Sequence, residues 1–362
     1  HSFIKNRLFS ECKQNDLSIQ KKSKKGFLVH QLEDKNNGET YHFLMSKFRK
    51  EGSYMWKTMK KKTDMTHRIK ILKHLRPRMP LSQHDVRSYD QLMKGHVGEQ
   101  IFYEQLQEAL TGNGLILKDL LLEYRDQQFQ IDSLLIAQQT IYHFEVKNYE
   151  GDFYIENGNW FIASSENEIS NPLHQLKRTN VLLRQLLKAG HHHHTIKSFL
   201  IFIHPTFILY EAPRHLPIIF PSQVRRFLRK INANTSRLTN TDRQLANYLE
   251  TMQLEKSQYE KLPDYDYHQL KKGIVCKNCS RFLSRLSRGT VKCHTCKLEE
   301  AADDAVIRNI REFKLLFPHE RITTSIIFDW CQIISKKAIR RILQENFKMV
   351  GTNRYAHYIE IE

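Results

Sequence analysis

Long apolar runs are missing from this sequence of 362 residues. A helix that crosses a bilayer needs about 18 to 20 consecutive apolar residues, and no stretch approaches that length. The first residues, HSFIKNRLFSECKQ, are too polar for a secretory signal peptide. Hydrophobic residues still make up 40% of the chain, which is enough to build folded cores. We therefore expect a soluble intracellular protein, cytoplasmic or associated with the nucleoid, with no membrane partner.

Acidic residues are scarce relative to basic ones. The chain has 39 Asp and Glu against 57 Lys and Arg, which gives a formal net charge of +18. An excess of this size favours a polyanionic partner, nucleic acid above all, and exceeds what a small-molecule enzyme requires. A basic balance also suits an anionic membrane surface, so charge alone indicates a class of partner and no reaction.

Cysteines are also few, but four of the six form two C-x-x-C pairs, namely Cys276 with Cys279 and Cys293 with Cys296. Two such pairs can surround one tetrahedral ion, and their separation is typical of zinc ligands. The alternative, two disulfides, is typical of secreted proteins and is the weaker interpretation. We predict a structural Zn²⁺ held by the four thiolates. His294, inside the second pair, could replace one thiolate but is more simply a bystander.

The pattern of residues divides the chain into five predicted parts. Residues 1–65 are a basic appendage, which we interpret either as a solvated arm or as a small module that contacts phosphates. Within it, GFLVHQL and ETYHFLM flank Asn37-Gly38 and predict a β-hairpin. The later parts are an α/β domain over 66–235, a helical linker over 236–272, a cysteine ribbon over 273–300 and a C-terminal helical segment over 301–362.

The α/β domain carries carboxylates on two neighbouring predicted strands. Asp132 begins the strand IDSLLI, and Glu145 and Lys147 share one face of the strand HFEVKNY, because side chains alternate along a strand. Paired carboxylates can hold Mg²⁺, and a lysine can orient a water or stabilise the charge that develops on a phosphate. The combination indicates phosphodiester hydrolysis.

This arrangement resembles the D…E-x-K site of the PD-(D/E)XK nuclease superfamily, and in particular its nuclease-related domain, NERD, which is found mainly in bacterial proteins. The resemblance extends over about residues 90–230. It implies an α/β fold class with a restriction-endonuclease-like core, that is, a central mixed sheet flanked by helices. The blocks that carry it are GHVGE, FQIDSLLI, HFEVKNYEG, NPLHQL and the trailing HPTFILYEAP with LPIIFPSQ.

The resemblance also implies roles for individual residues. Asp132 and Glu145 would bind Mg²⁺ or Mn²⁺, and Lys147 would help to generate the nucleophile. Glu99, on the helix before the meander of strands, would complete the metal shell, and Gln175, in NPLHQL, would contact the site from the following helix. The competing interpretation is structural. In it Lys147 and Glu145 form a buried ion pair, while Glu99 and Gln175 are ordinary helix residues.

Basic residues cluster on the ribbon and in the C-terminal segment. Residues 301–362 predict two helices, a third helix that Ser335 caps and Gly351 closes, and a terminal strand. This pattern resembles a winged helix-turn-helix, in which the last helix enters the major groove and the wing contacts the DNA backbone. A protein-interaction or packing role is the alternative. The residues expected to contact nucleic acid are Lys336, Lys337, Arg340 and Arg341 on the third helix, Arg354 in the wing, and Arg281, Arg285 and Arg288 on the ribbon.

Two functions are compatible with these residues. The first is a divalent-metal-dependent deoxyribonuclease, acting in defence against foreign DNA or in DNA processing. The second is a non-catalytic DNA-binding or regulatory protein that retains the nuclease fold, although the intact Asp132, Glu145 and Lys147 count against it. A homodimer stays open, because many nucleases of the superfamily pair two sites to cut two strands.

Overall fold

The computed structural model describes residues 17–24, 27–34, 39–45, 65–110, 114–233, 238–352 and 355–361. Contacts divide the chain into two compact units, residues 1–66 and 67–362. In the first unit β1 (Leu17–Lys24), β2 (Phe27–Asp34) and β3 (Glu39–Met45) form an antiparallel sheet in chain order. The predicted hairpin corresponds to β2 and β3, whereas its turn, Asn37-Gly38, lies outside the described residues.

A five-stranded mixed sheet forms the centre of the second unit. In spatial order the strands are β12 (Ile218–Ile219), β10 (Thr195–Phe202), β6 (Thr140–Lys147), β5 (Gln127–Ala137) and β4 (Leu115–Tyr124). The strands β12, β10 and β6 run parallel, while β6, β5 and β4 are antiparallel. Two-residue connections join β4 to β5 and β5 to β6, and connections this short allow only antiparallel pairing.

Helices cover both faces of this sheet. On one face, α2 (Gln83–Ala109) and α4 (Val224–Ala233) bury Phe102 and Leu228 against Phe144. On the other face, α3 (Pro172–Ala189) and α5 (Asn240–Thr251) bury Leu183 and Leu245 against Ile131. A short helix, α1 (His67–Leu75), precedes α2, and a 3₁₀ turn (Pro221–Gln223) precedes α4. The expected central mixed sheet flanked by helices is confirmed.

The helix α5 belongs to this layered core. Leu245 and Leu249 are fully buried against the sheet, and the buried His194 places its Nε2 3.1 Å from Oδ1 of Asp242 on α5. None of the residues 252–273, all of which are described, is helical. Helix is therefore confined to less than half of the linker that the sequence predicts over 236–272.

A small second sheet lies beside the central one. It contains β11 (Ile208–Tyr210), β7 (Asp152–Glu156), β8 (Asn159–Ile162) and β9 (Glu168–Ile169), in that spatial order. One face is buried, with Trp160 stacked on Phe202 of β10 at 5.9 Å between ring centroids and Leu176 of α3 in the same cluster. The other face is open to solvent.

The C-terminal part joins the cysteine ribbon to three helices. The ribbon contributes β13 (Ser284–Arg285), β14 (Thr290–Lys292) and β15 (Glu299–Ala301), and the helices are α6 (Ala302–Leu316), α7 (Thr324–Cys331) and α8 (Lys336–Asn346). Ser335 caps α8 as predicted, since its hydroxyl accepts from the amide of Ala338. The prediction that this helix continues to Gly351 is wrong. β16 (Phe347–Val350) follows α8 directly and pairs with β17 (His357–Glu360), so Gly351, with φ +79°, lies in the hairpin turn.

The buried Arg78 connects the helices before the central sheet to this C-terminal part. Its Nε donates to Oε1 of Glu312 at 2.7 Å, and its other nitrogens donate to the carbonyl oxygens of Lys271 and Gly273. The guanidinium also lies 4.0 Å from the ring centroid of Trp330. Burial acts to raise the pKa of Glu312, but the interactions with His74 and Arg78 outweigh it and lower this pKa. The side chain of Arg78 thus contacts three other stretches of the chain, around residues 271–273, 312 and 330.

Replacing Arg78 with methionine should strongly destabilise the protein. The change breaks a buried ion pair and leaves His74 as the remaining partner of the Glu312 carboxylate, and removal of one partner of a buried pair typically costs about 3–5 kcal/mol. Arg311→Met is the matched control, because the pair that Arg311 forms with Glu360 is exposed and should contribute less than about 1 kcal/mol. Urea unfolding followed by tryptophan fluorescence measures both variants. Equal midpoints for Arg78→Met and the wild type would contradict the connecting role of Arg78.

Candidate active site

Two strands of the central sheet separate at the predicted site. β5 and β6 pair from Ala137 with Thr140 as far as Ser133 with Phe144, and beyond that point β6 pairs only with β10. The amide of Val146, left without a strand partner on this side, donates to Oδ2 of Asp132 at 2.7 Å. The side chain of Asp132 therefore bridges the gap between the diverging strands.

The separation coincides with a break in the neighbouring ladder. β4 and β5 keep one register on both sides of Asp119 and Asp132, but these two residues do not pair, and Asp119 has φ +50°. Leu117 before the break and Leu120 after it enter the same buried cluster, a spacing of three where a regular strand gives two. A positive φ is costly for a residue other than glycine and is concentrated at functional sites.

Glu145 and Lys147 meet at this opening, as alternation along the strand predicts. The side chain of Glu145 is fully buried, and its Oε1 accepts from Nζ of Lys147 at 2.7 Å. The same Nζ donates to Oε1 of Gln175 on α3 at 3.0 Å. The structure therefore brings four predicted residues together, Asp132 and Glu145 on the strands, Lys147 between them, and Gln175 from the covering helix.

The environment of the site favours the protonated, neutral form of its acidic side chains over the ionised form. Burial, and then the charges of Glu145 and Glu99, raise the pKa of Asp132 well above its usual range. Burial also raises the pKa of Glu145, against the opposing effects of Lys147 and Gln175. For Lys147 burial disfavours the cation, but the carboxylates of Glu145 and Asp132 outweigh burial and raise its pKa. Lys147 is therefore a cation beside acidic groups whose own pKa values are raised.

Glu99 extends the acidic cluster from helix α2. Its carboxyl group is half-buried, and burial followed by the charges of Asp119 and Glu145 raises its pKa to about 7. Asp119 is the functional candidate that the sequence analysis missed. Gln130 on β5 donates to Oδ1 of Asp119 at 2.8 Å and holds the carboxylate beside the site. The available signal was a single aspartate inside the apolar run LILKDLLLEY.

The chemistry of this site fits a hard divalent cation. One oxygen of Glu145, Oε2, is buried and has no hydrogen-bond partner among the described residues. Such an oxygen is costly unless it binds a ligand, and carboxylate oxygens are the donors that Mg²⁺ and Mn²⁺ prefer. The acidic groups are spread more widely than a closed metal cluster, because in the described part of the chain only the cysteines bring at least three ligand atoms within 4.8 Å of one another.

The four cysteines of the ribbon converge as predicted. Sγ of Cys276 lies 3.6 Å from that of Cys296, and Sγ of Cys279 lies 3.4 Å from that of Cys293. All four are free thiols, so the disulfide alternative is not realised. His294 lies outside the cluster and contacts the hydroxyl of Ser284 at 2.6 Å. The group has the composition of a closed four-sulfur metal site.

Most of the residues predicted to contact nucleic acid are exposed, but Arg341 is already paired with acidic side chains. Arg341 donates to both carboxylate oxygens of Asp303 and to Glu345, so its charge is already engaged. Arg354 lies outside the described residues. The remaining predicted residues are exposed, namely Lys336, Lys337 and Arg340 on α8 and Arg281, Arg285 and Arg288 on the ribbon.

Comparison with known proteins supports a nuclease-related domain. Residues 94–203 match the family model of the nuclease-related domain, NERD. The range includes every carboxylate of the site together with Lys147 and Gln175, and it leaves the ribbon and the C-terminal helices outside. No curated protein and no solved structure matches the chain significantly. Of the helices in the described ranges, none has both the length and the hydrophobicity required to cross a bilayer.

Replacing Glu99 with glutamine should stabilise the metal-free protein in a pH-dependent manner. The folded state holds the Glu99 proton more tightly than the unfolded chain, so ionisation removes stability as the pH rises from 4.5 to about 7. In EDTA, Glu99→Gln should therefore raise the melting temperature more at pH 8 than at pH 5. Glu104→Gln, an exposed change on the same helix, should alter neither value. An equal gain at both pH values would contradict the raised pKa of Glu99 in the folded state.

Proposed function

We propose that this protein is a divalent-metal-dependent nuclease that hydrolyses phosphodiester bonds of DNA. The observation that carries the proposal is the buried, unpartnered Oε2 of Glu145 at the point where β5 and β6 separate, inside the range that matches the nuclease-related domain. The retained side chains of Asp132 and Lys147 beside it support catalysis over a fold kept only for binding.

Asp132 and Glu145 would hold the Mg²⁺ or Mn²⁺ ion of this enzyme. Glu145 would use its unpartnered Oε2 and Asp132 the oxygen that does not accept from Val146. When bound, the ion supplies Lewis-acid activation of water and neutralises charge on the phosphate. Glu99 and Asp119 would add negative charge around the ion from α2 and β4, which explains why their charges are kept close at a cost in stability.

Lys147 would act on the reacting phosphate as a fixed cation. Its raised pKa favours the protonated form, which suits stabilisation of the negative charge that builds up in the transition state. Gln175 accepts from the ammonium group at 3.0 Å and would fix its direction. In this role the ammonium group keeps its proton.

The ribbon and the C-terminal helices would hold the DNA. We propose a Zn²⁺ ion bound by the four cysteines and a winged-helix-like unit formed by α6, α7, α8 and the β16–β17 hairpin. Lys336, Lys337 and Arg340 lie exposed on α8, where a recognition helix would present them to the major groove. Arg341 would contribute less, because Asp303 and Glu345 already bind its guanidinium. The comparisons add no support for a homodimer.

Removal of either the buried carboxylate or the lysine should abolish most of the activity. Glu145→Gln and Lys147→Met should each lower the rate of DNA cleavage in Mg²⁺ or Mn²⁺ by about 100-fold or more, as the loss of one transition-state contact typically does. Glu108→Gln, an exposed change on α2, serves as the control. Linear, circular and single-stranded DNA should be tested with each ion and with EDTA. DNA binding without cleavage under every condition would favour a regulatory protein instead.

The purified protein should contain one Zn²⁺ per chain at the ribbon. Cys293→Ser should lower the zinc content measured by atomic emission, because the closed four-sulfur site loses a ligand. Cys331→Ala should leave the zinc content unchanged, since burial raises the pKa of the Cys331 thiol to about 12 and keeps it a poor ligand. Full zinc content in Cys293→Ser would exclude this site.

A further inference from the structure

The solvent face of the small sheet carries a row of aromatic side chains. The strand register places Tyr210 of β11 opposite Tyr154 of β7, and Tyr154 opposite Phe161 of β8. The rings of Tyr154 and Phe161 stack with centroids 5.1 Å apart and planes within 16°. Tyr210 is 51% exposed, and Ile208 beside it is 46% exposed. The row crosses three strands and is therefore about 10 Å long.

The surroundings of this row are acidic. Between residues 148 and 173 the sequence has five Asp or Glu and no Lys, Arg or His, although the whole chain has a net charge of +18. Glu150 pairs with Lys94, whereas Asp152, Glu156 and Glu168 are exposed and form no ion pair with the described residues. In the register, Glu168 continues the aromatic row, since it lies opposite Phe161 on β9.

This combination does not suit the polyanion that the rest of the chain would bind. Phosphate groups would be repelled by the carboxylates, whereas Arg or Lys cations would be attracted by them and would also interact with the faces of the aromatic rings. Tyr210 is exposed, and Tyr154 and Phe161 are half-buried on the solvent side of the sheet, outside its buried cluster. Aromatic rings placed in this way typically mark an interaction surface. We propose that the open face of this sheet binds an arginine- or lysine-rich segment of a partner protein.

The aromatic rings and the neighbouring carboxylates would make different contacts with the partner. Tyr154 and Phe161 stack on each other, so a guanidinium group would stack on an outer face of this pair, on the side of Tyr210 or on the side of Glu168. Glu156 and Glu168 lie beside these rings and would accept hydrogen bonds from the same cation. An extended peptide advances about 3.3 Å per residue, so the 10 Å row would contact about three of its residues. Charge complementarity therefore selects the partner and the rings hold it.

Fluorescence anisotropy of the full-length protein with a labelled ten-residue peptide of alternating arginine and glycine tests this proposal. The wild type should bind the peptide saturably, and the same peptide with citrulline in place of arginine should not bind. Tyr154→Ala combined with Phe161→Ala should weaken binding by about tenfold or more. Tyr154→Phe should bind like the wild type, because it keeps the ring. Tyr259→Ala, an exposed tyrosine outside this sheet, is the control for a general effect of tyrosine removal.

Charge variants keep the test decisive if the double alanine variant fails to fold. Glu156→Gln with Glu168→Gln changes only exposed groups and should also weaken binding of the arginine peptide. Equal binding by all variants, or equal binding of the citrulline peptide, would overturn the proposal. Loss of oligothymidylate binding in the aromatic variants, with unchanged peptide binding, would assign the row to single-stranded nucleic acid instead. None of these outcomes depends on whether the protein cleaves DNA.

Discussion

A carboxylate buried inside a β-strand is the constraint on which the domain that matches the nuclease-related family model depends. Burying the charge of Glu145 is costly, and one ion pair with Lys147 compensates only one of its two oxygens. A regular ladder would continue to pair β5 with β6 at this position and leave little room for a ligand. The strands instead separate after Phe144, and the side chain of Asp132 takes over a backbone hydrogen bond. The separation of β5 from β6 and the buried carboxylate of Glu145 therefore occur at the same place.

The balance of charges distinguishes this site from a structural ion-pair network. In the pair formed by Arg78 and Glu312, each charge has its counterpart, and the net effect lowers the pKa of the carboxyl group. Around Glu145 the effect has the opposite sign, because burial raises the pKa values of Asp132, Glu145 and Glu99, and neighbouring carboxylates raise those of Asp132 and Glu99 further. A protein that retains such repulsion loses stability for it, and binding sites for cations are a common reason.

The sequence was sufficient for those features that depend on local periodicity. The alternation of side chains along a strand correctly places Glu145 and Lys147 on one side of β6. The short connections between β4, β5 and β6 make these strands antiparallel neighbours. The convergence of the four cysteines follows in the same way from two short spacings, although the identity of the metal is still a prediction. Each of these inferences needs only residues that are close along the chain.

Features that depend on distant partners were beyond the sequence. The run around Asp119 has the composition of a regular buried strand, but its pairing is interrupted at Asp119, opposite Asp132 of β5. Helix α8 ends at Asn346 because the next residues pair with a strand that begins at His357. Arg341 has the pattern of a DNA contact, but Asp303, on another helix, binds it.

The distribution of charge constrains how a polyanion can approach the molecule. An even excess of lysine and arginine would improve solubility without orienting any partner. Here the region between residues 148 and 173 lacks basic residues entirely, and three of its exposed carboxylates, those of Asp152, Glu156 and Glu168, belong to strands of the small sheet. At physiological ionic strength charges act over about 8 Å, so this face repels a phosphate backbone only when the backbone comes close. If the proposed DNA binding holds, nucleic acid drawn in by the basic surfaces would be repelled by the acidic sheet, which would leave that face to a cationic partner.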